Sequence, residues 1–442
     1  MSMPQNQQVA KARPWLAKSG LIAGVIILAG GAVWFFTQQK AERPDSISDI
    51  PFTAPESIQA PVEEVKGAAD LPESRIVLAD RAVTAIDDNG DNKYKYTFQL
   101  ADFTGAKRFT FGEATDLTYE PIMLYGNDRL AIYSEVSADE NRTLSFSGEI
   151  EKSALPPYRY SGVLVDPGNT IMAYAGSDDT QDGEVDSIVV RTLVDSNERT
   201  VKNDAFMDPD EQPYPTLVPL AFSSAKDELY VQGTLDSEDP AAAYTLFRVK
   251  ISDLSVQTVF SQAVDETTGK FRRLVGVYPD LGYAVVEAFD GGAIDEMDTE
   301  STPVPLKLEK YLLVDSDKFE TWVTRAGVGV PVMLGANPVS PDGRYVVLES
   351  ADPEQAGVII WNVSDGAFTR MTEQGSFLAW SPDSHYVLIE NFDYKGEGSY
   401  ILQSLEVETK RQYDIFSQDD TSEGTGLNKI GDHFTLYLGI TS

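Results

Sequence analysis

Residues 338–349 read PVSPDGRYVVLE and residues 379–390 read AWSPDSHYVLIE, so the two stretches are identical at six of twelve positions. Residues 276–287, GVYPDLGYAVVE, match the first stretch at six positions as well. Proline presets the turn dihedral and aspartate bonds back to the backbone, so each copy predicts a tight hairpin between two strands. The chain therefore contains an internal repeat, and this repeat is the main indication of the fold.

Each repeat predicts about four strands. After a variable polar loop, several copies continue into a second apolar pair, as in residues 400–407 with 411–415. Four strands in a period of roughly 40 to 60 residues are typical of β-propeller blades, because solenoids with strands use shorter repeats. We count about seven units, with six or eight as alternatives, at residues 74–112, 118–151, 160–202, 216–261, 272–325, 334–372 and 376–416.

A surplus strand follows the last unit. Residues 429–438, KIGDHFTLYL, resemble the opening strands of a unit but are not followed by its second half. We expect this strand to pair with the first unit and to close the ring, because closure removes two exposed sheet edges. The predicted fold is an all-β propeller of about seven four-stranded blades over residues 75–442.

The turns SPDG at 340–343 and SPDS at 381–384, with the following Tyr345 and Tyr386, resemble the WD40-like repeats of TolB-type β-propellers. The resemblance covers nearly all of the chain beyond residue 75. It implies a propeller fold but not one function, because propellers carry many functions. TolB-type proteins have a separate N-terminal α/β domain, whereas this chain has an apolar segment and a proline-rich stretch there.

That apolar segment, GLIAGVIILAGGAVWFF at residues 20–36, carries no charge and is just long enough to span a bilayer. Lys11, Arg13 and Lys18 precede it, so the positive-inside rule places the N-terminus in the cytoplasm and the bulk of the chain outside. A cleaved signal peptide and a buried core helix are the alternatives. The predicted organisation is a basic tail at 1–18, a single transmembrane helix at 19–37 and an extracytoplasmic stalk at 38–74.

The composition of the 442 residues limits the classes of function. Hydrophobic residues make up 42% of the chain, so a large core is feasible. There are 70 acidic and 35 basic residues, and a surface this negative disfavours a nucleic-acid partner. The absence of cysteine excludes disulfides, thiolate metal sites and cysteine nucleophiles.

One acidic loop has the spacing of a calcium site. Residues 178–186 read DDTQDGEVD, and this pattern resembles the calcium loops of propellers of the integrin α-subunit type. Oxygens of Asp178, Thr180, Asp182 and Asp186 could converge on one hard cation. The sequence therefore predicts a Ca²⁺ site here, with an acidic, solvated hairpin loop as the alternative.

Residues suited to catalysis are few. The two histidines, His385 and His433, lie in or beside predicted turns, and we interpret both as structural. The sequence has no G-x-S-x-G elbow, H-E-x-x-H motif or P-loop. This inventory favours binding over catalysis. A glycan- or peptide-acting hydrolase or lyase on a propeller scaffold remains the alternative.

Two wide loops, 203–215 and 289–306, interrupt the repeat. Recognition usually resides in long loops on a rigid scaffold, so we predict a binding rim there. The hypothesis is a membrane-tethered, extracytoplasmic scaffold or sensor that binds a protein or an envelope component. The candidate rim residues are Phe206, Met207, Tyr214, Asp290 and Met297.

Overall fold

The computed structural model of this chain describes the greater part of the unit Asp45–Ser442. The described residues are 52, 55–58, 61–86, 92–117, 122–133, 141–152, 163–166, 168, 170–176, 187–193, 195–207, 212–223, 227–234, 244–262, 271–289, 306–313, 319–325, 337–349, 357–373, 375–392, 399–419 and 433–441. The predicted tail, membrane helix and first part of the stalk lie outside them. In the described part, no helix is long and apolar enough to span a bilayer.

The described elements are strands and three short 3-10 turns at Ala68–Asp70, Asn203–Ala205 and Pro279–Leu281. Two short strands come first, β1 (Glu56–Ile58) and β2 (Glu63–Glu64). Blade 1 contains β3 (Arg75–Ile86), β4 (Asn92–Ala101) and β5 (Lys107–Leu117). Blade 2 contains β6 (Ile122–Leu124), β7 (Arg129–Ile132), β8 (Arg142–Ser145) and β9 (Ile150–Lys152). Blade 3 contains β10 (Leu164–Val165), β11 (Ile171–Gly176), β12 (Ser187–Thr192) and β13 (Glu198–Lys202).

Blade 4 contains β14 (Thr216–Ser223), β15 (Glu228–Thr234), β16 (Tyr244–Lys250) and β17 (Val256–Gln262). Blade 5 contains β18 (Phe271–Tyr278), β19 (Tyr283–Phe289), β20 (Leu306–Leu312) and β21 (Phe319–Arg325). Blade 6 contains β22 (Tyr345–Glu349), β23 (Val358–Asn362) and β24 (Phe368–Arg370), with Val339 bridged to Val346 in place of a first strand. Blade 7 contains β25 (Ser376–Trp380), β26 (Tyr386–Phe392), β27 (Ser399–Glu406) and β28 (Arg411–Asp419).

The chain is a seven-bladed β-propeller, as the repeat predicts. Within each blade consecutive strands pair antiparallel in chain order. The first strands of neighbouring blades contact each other, as β14 and β18 do. Because blades converge at the axis of a propeller, the first strand of each blade is the innermost and the fourth is the outermost.

The predicted ring closure is confirmed. The last strand, β29 (His433–Thr441), pairs antiparallel with β3, with His433 opposite Ala82 and Thr441 opposite Arg75. It thereby becomes the innermost strand of blade 1. The pairing covers the edge of β3 that would otherwise be open and joins the end of the chain to its first blade, which is the physical gain from closure.

The described core consists of seven hydrophobic clusters, one between each pair of neighbouring blades. Both faces of a blade are therefore buried, which explains the continuous apolar runs of the strands. The cluster between blades 7 and 1 includes Ile76 and Leu78 from one side and Leu388 and Leu402 from the other. Closure is thus a packing contact as well as a strand pairing.

The structure differs from the predicted stalk over its second half. From Phe52 onward the described residues lie along the propeller, and β1 and β2 add to blades 7 and 1. Leu71 is 6% exposed and joins the cluster between blades 1 and 2. The proline-rich stretch lacks the periodicity of a blade strand, yet extended backbone of any sequence can bond to an open sheet edge. Residues 38–51 of the predicted stalk lie outside the described residues.

Candidate binding face

The strand directions give the ring two unlike faces. Connections between first and second strands, and between third and fourth strands, lie on one side, which we name the turn face. Connections between second and third strands, and between blades, lie on the opposite side, which we name the loop face. The longest connection on the turn face has six residues (313–318), whereas residues 290–305 on the loop face number sixteen. Variation in length is thus concentrated on the loop face.

The turn face is built from self-contained hydrogen-bond networks. In the SPDG turn of blade 6, the Ser340 hydroxyl donates to Asp342 Oδ1 over 2.7 Å and accepts from the Tyr345 amide over 3.0 Å. Ser340 is fully buried. The repeat motif therefore satisfies its own polar groups, which explains why it specifies a turn and not a ligand site.

The equivalent turn of blade 7 repeats this network. Ser381 donates to Asp383 Oδ1 over 2.5 Å, and the Tyr386 amide donates to Ser381 Oγ over 2.8 Å. The backbone amide of His385 donates to Asp383 Oδ1 over 3.1 Å. His385 thus lies in a turn on the turn face, where the sequence predicts a turn. His433 is the first residue of β29.

The loop face carries the most acidic connections of the sequence. Residues 177–186 contain five acidic residues and no basic one, and residues 290–305 have the same count. Residues 203–215 contain four acidic residues and again no basic one. The first two connections lie outside the described residues, and the strand ends that flank them, at Gly176, Ser187, Phe289 and Leu306, lie at this face.

The predicted calcium ligands Asp178, Thr180, Asp182 and Asp186 lie outside the described residues. Among the residues that the structure does describe, no group of three or more histidine, aspartate or glutamate side chains is arranged to hold a metal ion. The Ca²⁺ site therefore stays a prediction from the sequence.

The structure places three of the five predicted rim residues. Phe206 is fully buried and Tyr214 is 1% exposed, whereas Met207 is 38% exposed. The Phe206 ring packs edge-on against Phe247 of blade 4 with centroids 5.2 Å apart. Phe206 and Tyr214 are core residues here, so their side chains do not form a rim, and Met207 alone of the three lies at the surface. Asp290 and Met297 lie outside the described residues.

The two buried aromatics anchor the connection between blades 3 and 4. The Asn203 side-chain amide donates to the Tyr214 carbonyl oxygen over 2.7 Å, and the Tyr214 hydroxyl lies 2.6 Å from Thr245 Oγ1. Met207 and Pro213 form an isolated bridge. Both ends of residues 208–212 are therefore fixed at one point of the loop face, next to the exposed Met207 side chain.

Blade 5 contains a charged cluster that was not predicted from the sequence. Glu309 of β20 is 4% exposed at its side chain and accepts from Arg272 Nε over 2.6 Å and from Lys307 Nζ over 2.8 Å. Burial by itself raises the pKa of Glu309, but the hydrogen bonds from Lys307 and Arg272 bring it below its usual value. The side chains of Arg272 and Lys307 are 34% and 35% exposed. A buried carboxylate thus holds two cations that solvent can reach.

A second ion pair lies on the other side of blade 5. Arg273 of β18 bonds to Glu287 of β19, and the side chains are 14% and 4% exposed. Burial raises the pKa of Glu287 to about 7, against the attraction of Arg273. Both pairs lie where β19 ends and β20 begins, at the base of residues 290–305. The signal in the sequence was a charge inside the apolar run YAVVEAF of β19.

Beside Arg272 lies a buried hydroxyl. Tyr244, the first residue of β16, is 3% exposed, and within the part of the chain that the structure describes its hydroxyl has no hydrogen-bond partner. Burial raises the pKa of Tyr244, and Arg272 opposes this shift. The loop-face end of the seam between blades 4 and 5 thus combines a buried donor with two reachable cations.

No protein-family model matches the sequence, and no curated protein is significantly similar to it. Solved structures of similar fold include an oligogalacturonate lyase in complex with manganese, 12% identical with a TM-score of 0.49, where the match covers 76% of this chain and 92% of the other. TolB from Acinetobacter baumannii is 12% identical with a TM-score of 0.35 and coverage of 82% and 94%.

A putative 6-phosphogluconolactonase from Bacteroides uniformis is 14% identical with a TM-score of 0.39 and coverage of 78% and 99%. The names of these three proteins cover unrelated activities. The strand pairing of this chain itself shows the seven-bladed propeller.

Proposed function

We propose that the chain is a membrane-tethered, extracytoplasmic propeller that binds a protein or a cell-envelope component through its loop face. The inequality of the two faces is the observation that supports this proposal. The turn face ends in connections of up to six residues, whereas the loop face carries sixteen residues between β19 and β20 alone. Long loops on a rigid scaffold are the usual sites of recognition.

The chemistry of the loop face indicates the class of partner. Its longest connection, residues 290–305, has five acidic residues and no basic one, so a partner with a basic surface is favoured. Met207 and Ile86, which is 44% exposed at the end of β3, offer apolar contacts on the same face. An acidic surface with a few apolar anchors suits protein recognition.

A loop replacement tests the proposed binding. The full chain is solubilised in detergent and used for affinity capture, in parallel with a variant in which a short Gly-Ser linker replaces residues 290–305. The matched control replaces residues 314–318 on the turn face. We expect the partner to be captured by the wild type and the control but lost from the loop variant, and its yield to fall with salt. Equal capture by all three proteins would contradict a role for the loop face.

The membrane tether rests on the apolar residues 20–36 and the basic residues before them. Because the chain has no cysteine, single cysteines report topology cleanly. On intact cells, a membrane-impermeant maleimide should label Ser442→Cys and not Ser2→Cys, whereas lysed cells should show both. Labelling of Ser2→Cys on intact cells would reverse the proposed orientation.

The second candidate function is an enzyme that acts on extracellular glycans or peptides. It is favoured by one place on the loop face, where Arg272 and Lys307 reach solvent next to the buried Tyr244 hydroxyl. Perturbed groups that converge at a reachable site are typical of active sites. Incubation with neutral and acidic oligosaccharides and with peptides should then produce new reducing ends, unsaturated sugars or free amines. Arg272→Gln should abolish that product, and a complete lack of turnover with all substrates removes this alternative.

A further inference from the structure

The segment before blade 1 runs along the outside of three blades. Phe52 forms a parallel bridge with Arg370 of β24 in blade 6. Farther along, β1 pairs parallel with β28 of blade 7, with Glu56 opposite Arg411. Then β2 pairs parallel with β5 of blade 1. We name the described residues 52, 55–58 and 61–71 the strap.

The strap crosses the junction at which the ring closes. The strands that it contacts, β24, β28 and β5, are the last strands of their blades, so they form the outer edge of the ring. Blades 7 and 1 are held together at the inner edge by β29, which pairs with β3. The strap therefore covers from the outside the seam that β29 closes from the inside.

Side chains of the strap match the edges on which they lie. Glu56 Oε2 is 3.8 Å from Arg411 Nε, and the Arg370 guanidinium lies over the Phe52 ring at 5.7 Å. Glu64 Oε1 accepts from the Thr110 hydroxyl over 3.0 Å. The strap thus makes an ion pair, a cation–π contact and a hydrogen bond with three successive blades, in addition to its backbone pairing.

The strap is also linked to the seam beneath it through Arg108. This β5 residue donates from Nη2 to the Ile415 carbonyl oxygen of blade 7, so it joins the two blades directly. Burial lowers the pKa of Arg108, and the charge of Glu64 offsets that shift. Loss of Glu64 would therefore leave a partly buried cation without its nearest strap carboxylate, and would weaken the bond across the seam.

The two ends of the strap are held unequally. Near blade 1, the amides of Glu63 and Val65 donate to the Ala106 and Arg108 carbonyl oxygens over 2.7 and 2.8 Å, and Leu71 is buried. Toward Phe52 the contacts are a three-residue strand and an isolated bridge. Short, solvent-exposed pairings open at low free energy, so the Phe52 end is the first to detach.

We propose that the strap is a second, outer closure of the ring, which opens from its Phe52 end and must open before blades 7 and 1 separate. Two strand pairings of different strength then keep the ring closed, that of β29 with β3 at the inner edge and that of the strap at the outer edge. This closure operates with or without a membrane tether or a partner, so its test is independent of the proposed function.

A disulfide staple tests the order of opening. Ser57 lies opposite Gln412 in the β1–β28 pair, so Ser57→Cys with Gln412→Cys introduces a bond that locks the strap to blade 7 in a chain without other cysteines. The control is Arg142→Cys with Lys152→Cys, which lie opposite each other within blade 2. Unfolding rates of the full chain are measured in denaturant with each pair oxidised and reduced.

We expect oxidation of the strap pair to slow unfolding by about tenfold or more, and oxidation of the control pair to change it much less. If the two strap cysteines fail to pair, or if the oxidised and reduced proteins unfold at the same rate, the outer closure is refuted. A slowing of the same size in the control would show general cross-linking and would refute it equally.

Hydrogen exchange supplies a second readout without a cross-link. Arg411→Glu places two carboxylates together at the β1–β28 pair and should speed exchange in 52–58, with β28 and the facing part of β5 following. Lys250→Glu, at the exposed end of β16 in blade 4, is the matched charge change and should leave the strap and the seam unaltered. Faster exchange in the strap without any change in β28 or β5 would show that the strap does not guard the seam.

Discussion

The backbone amide of Asp342 donates a hydrogen bond to Ser384 Oγ over 3.1 Å, which joins the turn of blade 6 to the equivalent turn of blade 7. Ser384 occupies the position that Gly343 has in the preceding blade, and both have a positive φ, 64° and 72°. A serine with this backbone conformation is strained, so its presence indicates a compensating contact. The inter-blade bond is that contact.

Replacement of this hydroxyl should therefore destabilise the ring. We expect Ser384→Ala to lower the free energy of unfolding by about 1 to 2 kcal/mol, because the Asp342 amide loses the buried Ser384 hydroxyl as its acceptor while the strain remains. Denaturant titration followed by tryptophan fluorescence measures the change. Ser252→Ala, on an exposed turn of blade 4, is the control and should alter stability by less than about 0.5 kcal/mol. An equally small effect of Ser384→Ala would show that the bond is dispensable.

Two buried tyrosines should respond in opposite ways to removal of their hydroxyls. The Tyr214 hydroxyl lies 2.6 Å from Thr245 Oγ1, whereas that of Tyr244 has no partner within the described residues. Tyr214→Phe should thus lower the free energy of unfolding by about 1 to 2 kcal/mol, and Tyr244→Phe should leave it unchanged or raise it. Thermal unfolding of both variants tests this, and a clear loss of stability in Tyr244→Phe would reveal a bonded hydroxyl.

The Glu287 carboxyl should make stability depend on pH. Burial raises its pKa to about 7 from 4.5, so between these values the folded chain holds more protons at this site than the unfolded chain does. The contribution of Glu287 to stability therefore falls as pH rises across this window. Relative to the wild type, Glu287→Gln should gain up to about 1.4 kcal/mol per pH unit as pH increases. A difference that stays constant over this range would show that the group does not titrate there.

Substitutions at the neighbouring residues Phe206 and Met207 should have different effects, the first on stability and the second on partner binding. Phe206 is fully buried, so Phe206→Ala should lower the free energy of unfolding by about 3 to 5 kcal/mol. Met207 is exposed, so Met207→Lys should change stability by less than about 0.5 kcal/mol but reduce capture of a basic partner. Denaturant titration and affinity capture are the two measurements. Unchanged capture by Met207→Lys would remove Met207 from the proposed binding surface.

The loop 178–186 should bind calcium if the spacing of its carboxylates is functional. Titration of the full chain with Ca²⁺ should then reveal a site with a dissociation constant of about 10⁻³ M or tighter, which Asp182→Ala abolishes. Asp365→Ala, on the turn face, is the matched acidic control and should retain binding. Calorimetry that shows no binding in this range would support an acidic, solvated loop instead.

The chemistry of the turns and the spacing of the repeats were sufficient to predict a propeller of about seven blades and its closing strand. Ser340, Pro341 and Asp342 act within a few residues of one another, so a local sequence specifies the local turn. The apolar runs between the turns specify strands buried on both faces. Because one supersecondary unit is repeated, the pattern of strands and turns in a few units is enough to predict the propeller.

The side chains of the candidate binding face could be predicted from the sequence only in part. Position in a long loop suggested a surface role for Phe206 and Tyr214, but packing against Phe247 buries Phe206 and a bond to Thr245 holds Tyr214. The charged cluster around Glu309 depends on how three strands align across blade 5. Loop sequences carry no periodicity that reports burial, and the register of neighbouring strands is set by the whole sheet.

The sequence by itself determined the repeat of about seven units, the closing strand, the acidic loops and the apolar segment 20–36, because each is a local or periodic property. Only the tertiary structure decided that the proline-rich segment joins the propeller as a strap. Its strands have three and two residues and no repeat signature. Their pairing is specified by the edges of β28 and β5, more than 40 residues away along the chain in one case and more than 350 in the other. Such pairing depends on an edge that exists only once the blades have formed.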